Sequence, residues 1–214
     1  MDNLLERTKD AIIRNRMNAV VVSTPEEALE KVKELIPEGS VISVGGSVTL
    51  KECKIIDEIK SEKYKFIDRS EAGLSPEETK KRMREAFFSD FFLSSANAIT
   101  ENGEIYNVDG RANRVAALLY GPDKVIIVAG KNKIVPDLKA AEIRVKAHAA
   151  PKNTERLGCN TYCKEYGHCV SLGKGGMTAG CNSPDRICCS YVVLGPQRDS
   201  ERITVILVDA PLGY

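Results

Sequence analysis

The chain has 214 residues, 43% hydrophobic and 29% charged, the balance of a globular protein long enough to bury most of its apolar surface. Lys plus Arg number 31 and Asp plus Glu 30, so the net charge of +1 leaves no basic footprint for nucleic acid. The longest apolar runs, such as Val125 to Ala129, fall far short of the roughly 20 residues that cross a bilayer. The charged start lacks the apolar centre and cleavage site of a secretory leader, so a cytoplasmic protein without nucleic-acid or membrane partners is expected.

Leu4, Leu5, Thr8, Ile12 and Ile13 recur at helical spacing and predict an amphipathic helix over 2–16. Ala19 to Val22 reads as a short strand. Thr24-Pro25-Glu26-Glu27 is a helix start: a capping hydroxyl, a proline in the first turn, and carboxylates at the positive end of the dipole. Val41 to Val44 is the next strand, and Ile55, Ile56 and Ile59 mark a further helix. Tyr64 to Ile67 is again a strand. Leu74-Ser75-Pro76-Glu77-Glu78 repeats the start signal for a helix to about Phe88.

Phe91 to Leu93 is a strand, and Asn102-Gly103 between two apolar flanks predicts a hairpin. Val115 to Tyr120 is helical. Lys124 to Ala129 is a β-branched strand of the kind buried on both faces. Pro136 to about Ala149 reads as a helix with His148 favourably placed at its negative end. Pro151 opens a loop-rich stretch, and Tyr191 to Leu194 and Ile203 to Val208 are closing strands. The alternation predicts an α/β fold: an open, mostly parallel sheet with helices on both faces. It divides into a core over 1–150, a cysteine-rich segment over 151–190, and closing strands over 191–214.

Three clusters carry candidate chemistry. Gly45-Gly46-Ser47-Val48-Thr49 follows a strand and opens a helix; its glycines, free N–H groups and hydroxyls suit an anion, and equally a tight turn. The run from Asn97 to Arg114 packs amides and carboxylates between apolar strands. Asn107, Asp109 and Asn113 are positioned to hold a loop or to face a ligand. Arg114 near a helix start suits a bound anion. Glu101 and Asp109 are candidates for proton handling, against a reading of Glu101 as a solvated turn carboxylate.

Six of the seven cysteines lie between Cys159 and Cys189. Cys159-x3-Cys163-x5-Cys169-x11-Cys181-x6-Cys188 offers soft thiolates to zinc or an iron–sulfur cluster, which would order a glycine-rich stretch. Reduced structural thiols and disulfides are the alternatives. Cys53 reads as a small core residue.

Several of these segments together resemble one family. Asn97 to Gly110, Asn113-Arg-Val-Ala-Ala117, Tyr120-Gly-Pro122, Val125 to Gly130 and Asn132-Lys-Ile-Val135 are similar to the lactate-utilisation (LUD) domain. So are Val44 to Leu50, Ala149 to Asn153, and Cys181 to Cys188, the last matching the tail of single-domain members. The tail departs from the family where Val170 to Gly180 intervenes after the third cysteine.

The resemblance implies a fold like that of the ribose-phosphate isomerase and CoA-transferase superfamily, with a glycine-rich loop for phosphate or CoA. Thr100-Glu101-Asn102-Gly103 is similar to the glutamate-bearing segment of CoA-transferases. Relatives in lactate operons belong to an iron–sulfur complex oxidising L-lactate to pyruvate. The resemblance therefore implies a subunit binding a small anionic metabolite beside iron–sulfur oxidoreductase partners. A stand-alone enzyme or sensor of a phosphorylated or CoA-linked metabolite is the alternative, and a non-catalytic scaffold a further one.

Overall fold

A computed structural model describes residues 3–214; residue 2, where the first helix is expected to begin, lies outside the described residues. Helix α1 (Asn3–Arg14) leads into strand β1 (Asn18–Val22) and helix α2 (Pro25–Leu35). Thr24 caps α2 as its sequence requires, its hydroxyl accepting from the Glu27 N–H at 3.2 Å. Strand β2 (Val41–Val44), helices α3 (Val48–Glu52) and α4 (Ile55–Ile59) and strand β3 (Lys65–Phe66) follow. Helix α5 (Pro76–Glu85) opens with a full capping box between Ser75 and Glu78. Then come β4 (Phe91–Ser94), the hairpin of β5 (Ala98–Thr100) and β6 (Ile105–Asp109), helix α6 (Asn113–Leu119) and strand β7 (Lys124–Gly130).

The rest of the chain is β8 (Ile134–Val135), α7 (Leu138–Arg144), α8 (Ala150–Leu157), α9 (Tyr162–Tyr166), β9 (Ser190–Leu194) and β10 (Ile203–Val208). Six strands form one sheet in the order β1-β10-β7-β4-β2-β3, and every neighbouring pair is parallel. Alternate residues of β7 show why its sequence is apolar throughout. Val125, Ile127 and Ala129 join Leu5, Ile12 and Leu118 in one core. Ile126 and Val128 join Ala28, Val32, Leu50 and Ile59 in another. The sheet thus carries α1 and α6 on one face and α2, α3 and α4 on the other, as the α/β expectation requires.

Three features depart from the sequence reading, one of them the short helix α9 in the stretch read as loop. The hairpin does not stand alone: a second sheet in the order β8-β5-β6-β9 captures β9 antiparallel to β6, while β10 enters the main sheet between β1 and β7. One face of this second sheet (Ile99, Ile105, Leu194) packs on the main core, and the other (Ala98, Tyr106, Val108) packs on α7 and α8. The helix expected to stop near Ala149 runs on to Leu157 through a π-helical turn, Val145–Ala149. Pro151 has no N–H and would crowd the carbonyl one turn back, and the wider turn before it gives the ring room. His148 therefore stands inside the turn rather than at a helix end; burial lowers its basicity, aided by Lys152 and Arg144.

Candidate functional site

The parallel strands β2, β4 and β7 deliver their carboxyl ends to one side of the main sheet, where α/β sheets gather ligands. A cleft of about 710 Å³ opens there. Gly46 to Thr49 after β2, Ser95 to Asn97 after β4, and Lys133 after β7 line it. Val108 to Arg114 close it from the second sheet, Asn153 and Arg156 from α8, and Pro184 to Ile187 and Tyr214 from the chain's last third. The glycine loop and the Asn97 to Arg114 run therefore face one crevice.

Arg114 is the central strut. Its Nε donates to Asp109 Oδ1 at 2.8 Å, and its Nη2 donates to Asn97 Oδ1 at 3.0 Å and to the Val108 carbonyl at 2.9 Å. The other Asp109 oxygen accepts the Val115 N–H at 3.1 Å. With both oxygens engaged, Asp109 positions Arg114 and the start of α6 rather than standing free as a base. Arg69 reaches the same cleft from the segment after β3 and donates no hydrogen bond to any described residue. Burial pulls its guanidinium below the ordinary value, Asp109 opposes that, and Arg114 and Arg111 add to it. Asn113 also lines the cleft.

Lys133 has no place among the residues singled out from sequence, and it is the most perturbed group in the cleft. It is 3% exposed. Its Nζ donates to Thr49 Oγ1 and Ser95 Oγ, both at 2.9 Å, and no carboxylate pairs with it among the described residues. Burial, then the repulsion of Arg144 and Arg114, brings its amine down to about 7. The signal lay in Gly130-Lys-Asn-Lys133-Ile-Val: a single tight turn at the end of a buried strand points one of its two lysines inward.

Other expected site residues stand elsewhere or serve the framework. Glu101 lies at the hairpin turn, outside the residues lining the cleft, paired with Arg7 at 3.3 Å and partly exposed. Asn107 is fully buried; its Oδ1 accepts the Asn97 N–H at 3.2 Å, and its Nδ2 finds no partner among the described residues. Gly45 is buried beneath the loop, where a Cβ would sit 3.0 Å from Arg114 Cγ and from Ser94 Oγ, so it makes room for Arg114 rather than for a ligand. Ser47 spends its hydroxyl on the Leu50 N–H at 3.2 Å. The helix it caps has five residues, too short for a sizeable dipole.

The cysteines divide. Cys53 is a core residue whose thiol burial pushes up to about 11. Cys159 and Cys189 line the larger cleft. Cys163, Cys169, Cys181 and Cys188 line a separate small cavity of about 20 Å³ between α7, α8 and the cysteine segment. Burial pushes the Cys188 thiol up to about 12, and the nearby Cys163, Cys169 and Cys181 thiols reinforce the shift while Arg186 opposes it. All seven cysteines are free, and no group of three or more His, Cys, Asp or Glu among the described residues is drawn together as a metal site. Cys159 thus parts from the expected ligand set.

The LUD domain family profile matches residues 5–208. Among solved structures, a DUF162 family protein from Deinococcus radiodurans aligns with a TM-score of 0.51 and 18% identity over 96% of each chain, a likeness of fold. The eIF2B beta of Chaetomium thermophilum aligns over 53% of this chain and 43% of its own at 15% identity and a TM-score of 0.37. A ribose 5-phosphate isomerase from Plasmodium falciparum aligns over 52% of each chain at 14% identity and 0.32. No curated protein matches the chain.

Proposed function

The chain belongs to the LUD domain family, and on that premise we propose that its cleft binds a small anionic metabolite. The observation that carries this reading is local charge. Arg69, Arg111, Arg114, Lys133, Arg156 and Arg186 line the cleft against only Asp109 and Asp185, in a chain whose charges otherwise balance. Like charges so gathered repel, and an anionic guest relieves them. The volume lies in the range of roughly 300–1,000 Å³ usual for small-molecule sites. Arg69, which hydrogen-bonds to no described residue, and Arg114, held rigid by Asp109 and Asn97, are the anchors for a carboxylate or phosphate. Lys133 supplies a third contact and takes up a proton as the anion arrives.

Family membership supports a role related to lactate utilisation at the level of the family. In that role the guest is L-lactate or pyruvate, and the oxidation belongs to iron–sulfur partner subunits beside which this chain holds the substrate. Thermal-shift and calorimetric titrations with L-lactate, pyruvate, sugar phosphates and acyl-CoA test the reading. Saturable binding of one class, lost in Arg69→Ala, is expected. Binding that Arg69→Ala leaves unchanged, or no binding across the panel, overturns it. Tight binding of sugar phosphates or acyl-CoA alone would move the assignment to the phosphorylated or CoA-linked metabolites.

A further inference from the structure

Between α9 and β9 the chain runs from Gly167 to Cys189 without a helix or strand, and Gly167, Gly173, Gly175, Gly176 and Gly180 punctuate it. A stretch of that length in a compact fold needs an ordering element. Its apolar contribution is small: Met177 and Cys188 pack at the margin of the third core. Four thiols nevertheless line one small cavity, Cys163 from α9, Cys169 just after it, and Cys181 and Cys188 from the loop leading to β9, although no three ligating groups among the described residues are close enough to hold an ion before the segment closes.

Polar groups reach the sulfurs and the backbone beside them. Cys163 Sγ lies 3.6 Å from Thr154 Oγ1 and 3.4 Å from Thr161 Oγ1, and Cys169 Sγ lies 3.4 Å from Ser171 Oγ, hydroxyls able to donate to sulfur. Arg186 brings positive charge, its Nε donating to the Cys188 carbonyl at 2.8 Å and its Nη1 to the Cys181 carbonyl at 3.0 Å. Arg186 and Ile187 line both this cavity and the anion cleft, so one short segment is the partition between them.

We propose that Cys163, Cys169, Cys181 and Cys188 hold a thiophilic metal centre, a zinc ion or an iron–sulfur cluster, that braces the wall of the anion cleft. Four soft sulfur donors select these metals over hard cations, and the carboxylate that lines the same cavity, Glu142, is paired with Lys146 at 2.9 Å. Binding closes the glycine-rich segment and supplies the ordering energy its few apolar contacts lack. The metal centre stands on the thiols alone; its bracing role rests on the anion site proposed above.

The test uses the full chain purified without oxygen or chelator, analysed for zinc, iron and acid-labile sulfide and for visible absorption. Stoichiometric zinc in colourless protein identifies the ion, and iron with matching sulfide and a brown chromophore identifies the cluster. Cys169→Ser and Cys181→Ser lose the metal, while Cys53→Ser and Cys189→Ser keep it. Hydrogen exchange of wild-type protein before and after chelation guards against variants that fail to fold: amides across 167–187 exchange faster after metal removal while those of β7 and β10 stay protected.

Substoichiometric metal, both as purified and after anaerobic reconstitution with zinc or with iron and sulfide, overturns the proposal. So do disulfides among the four thiols, or metal retained by the C169S/C181S double variant. Anion titration of loaded and stripped protein separates the two claims. Loaded protein that binds no anion sinks the anion reading and leaves the metal centre standing. Stripped protein that binds the anion as tightly as loaded protein overturns the bracing.

Discussion

Lys133 and Arg114 show how this fold trades stability for a charged cleft. The Lys133 amine falls from 10.5 in the open chain to about 7 when folded. Its burial therefore costs most below pH 7, and the cost fades as pH rises from 7 toward 10.5. Lys133→Met is expected to raise stability at pH 7 by at least about 1 kcal/mol, with the gain shrinking toward pH 10, as read by denaturant unfolding across that range. The same residue sets the pH dependence of binding. An anion raises the amine's affinity for protons, so its own affinity is greatest below pH 7 and weakens as pH climbs above it, and Lys133→Met flattens that profile in calorimetry. Arg114→Ala leaves Asp109 without its guanidinium partner and is expected to cost about 3 kcal/mol in thermal unfolding along with most anion affinity. Neither role was legible beforehand with equal clarity. Arg114 stood out as a cation at a helix start; Lys133 entered only within the segment Asn132-Lys-Ile-Val135, because inward aim depends on backbone that a single sequence does not display.

At the level of elements, local chemistry spoke plainly wherever a cap or turn residue has one job. Thr24, Ser75 and Asn102-Gly103 each produced the start or turn they signal. Gly103 carries a further constraint that its neighbours in sequence do not reveal. Its φ is +81°, and a Cβ would lie 2.5 Å from the Ala11 backbone carbon in α1. Gly39 has a similar φ of +85° with nothing within 4 Å. Gly39→Ala is expected to cost about 1 kcal/mol, the conformational term alone, and Gly103→Ala at least about 2 kcal/mol in thermal unfolding, the excess measuring the contact between hairpin and α1. Three elements were out of reach of pattern reading, one of them the five-residue α9 inside a stretch read as loop. Strand β8 has two residues, too few to show a period, and the continuation of α7 into α8 depends on a π turn that hides behind a proline normally taken as a stop.

For the whole molecule, the alternation of strands and helices was enough to anticipate a parallel sheet covered on both sides, since each β-branched run needs two apolar neighbours. The second sheet was not, because it joins segments from residues 98 to 194 that share no local signature. Nor was the cationic cleft, because a net charge of +1 averages it away. Its predicted consequence is steep salt dependence: anion affinity should fall several-fold between about 50 and 300 mM chloride, while a neutral analogue of the same shape shows little change in parallel titrations. The strand order also has a temporal consequence. Strand β10 lies between β1 and β7, so two partners made early in translation cannot be bridged until residue 208 has left the ribosome. Until then β1 has no strand partner among the described residues, and the nascent chain carries an open seam through its middle that only β10 can stitch shut.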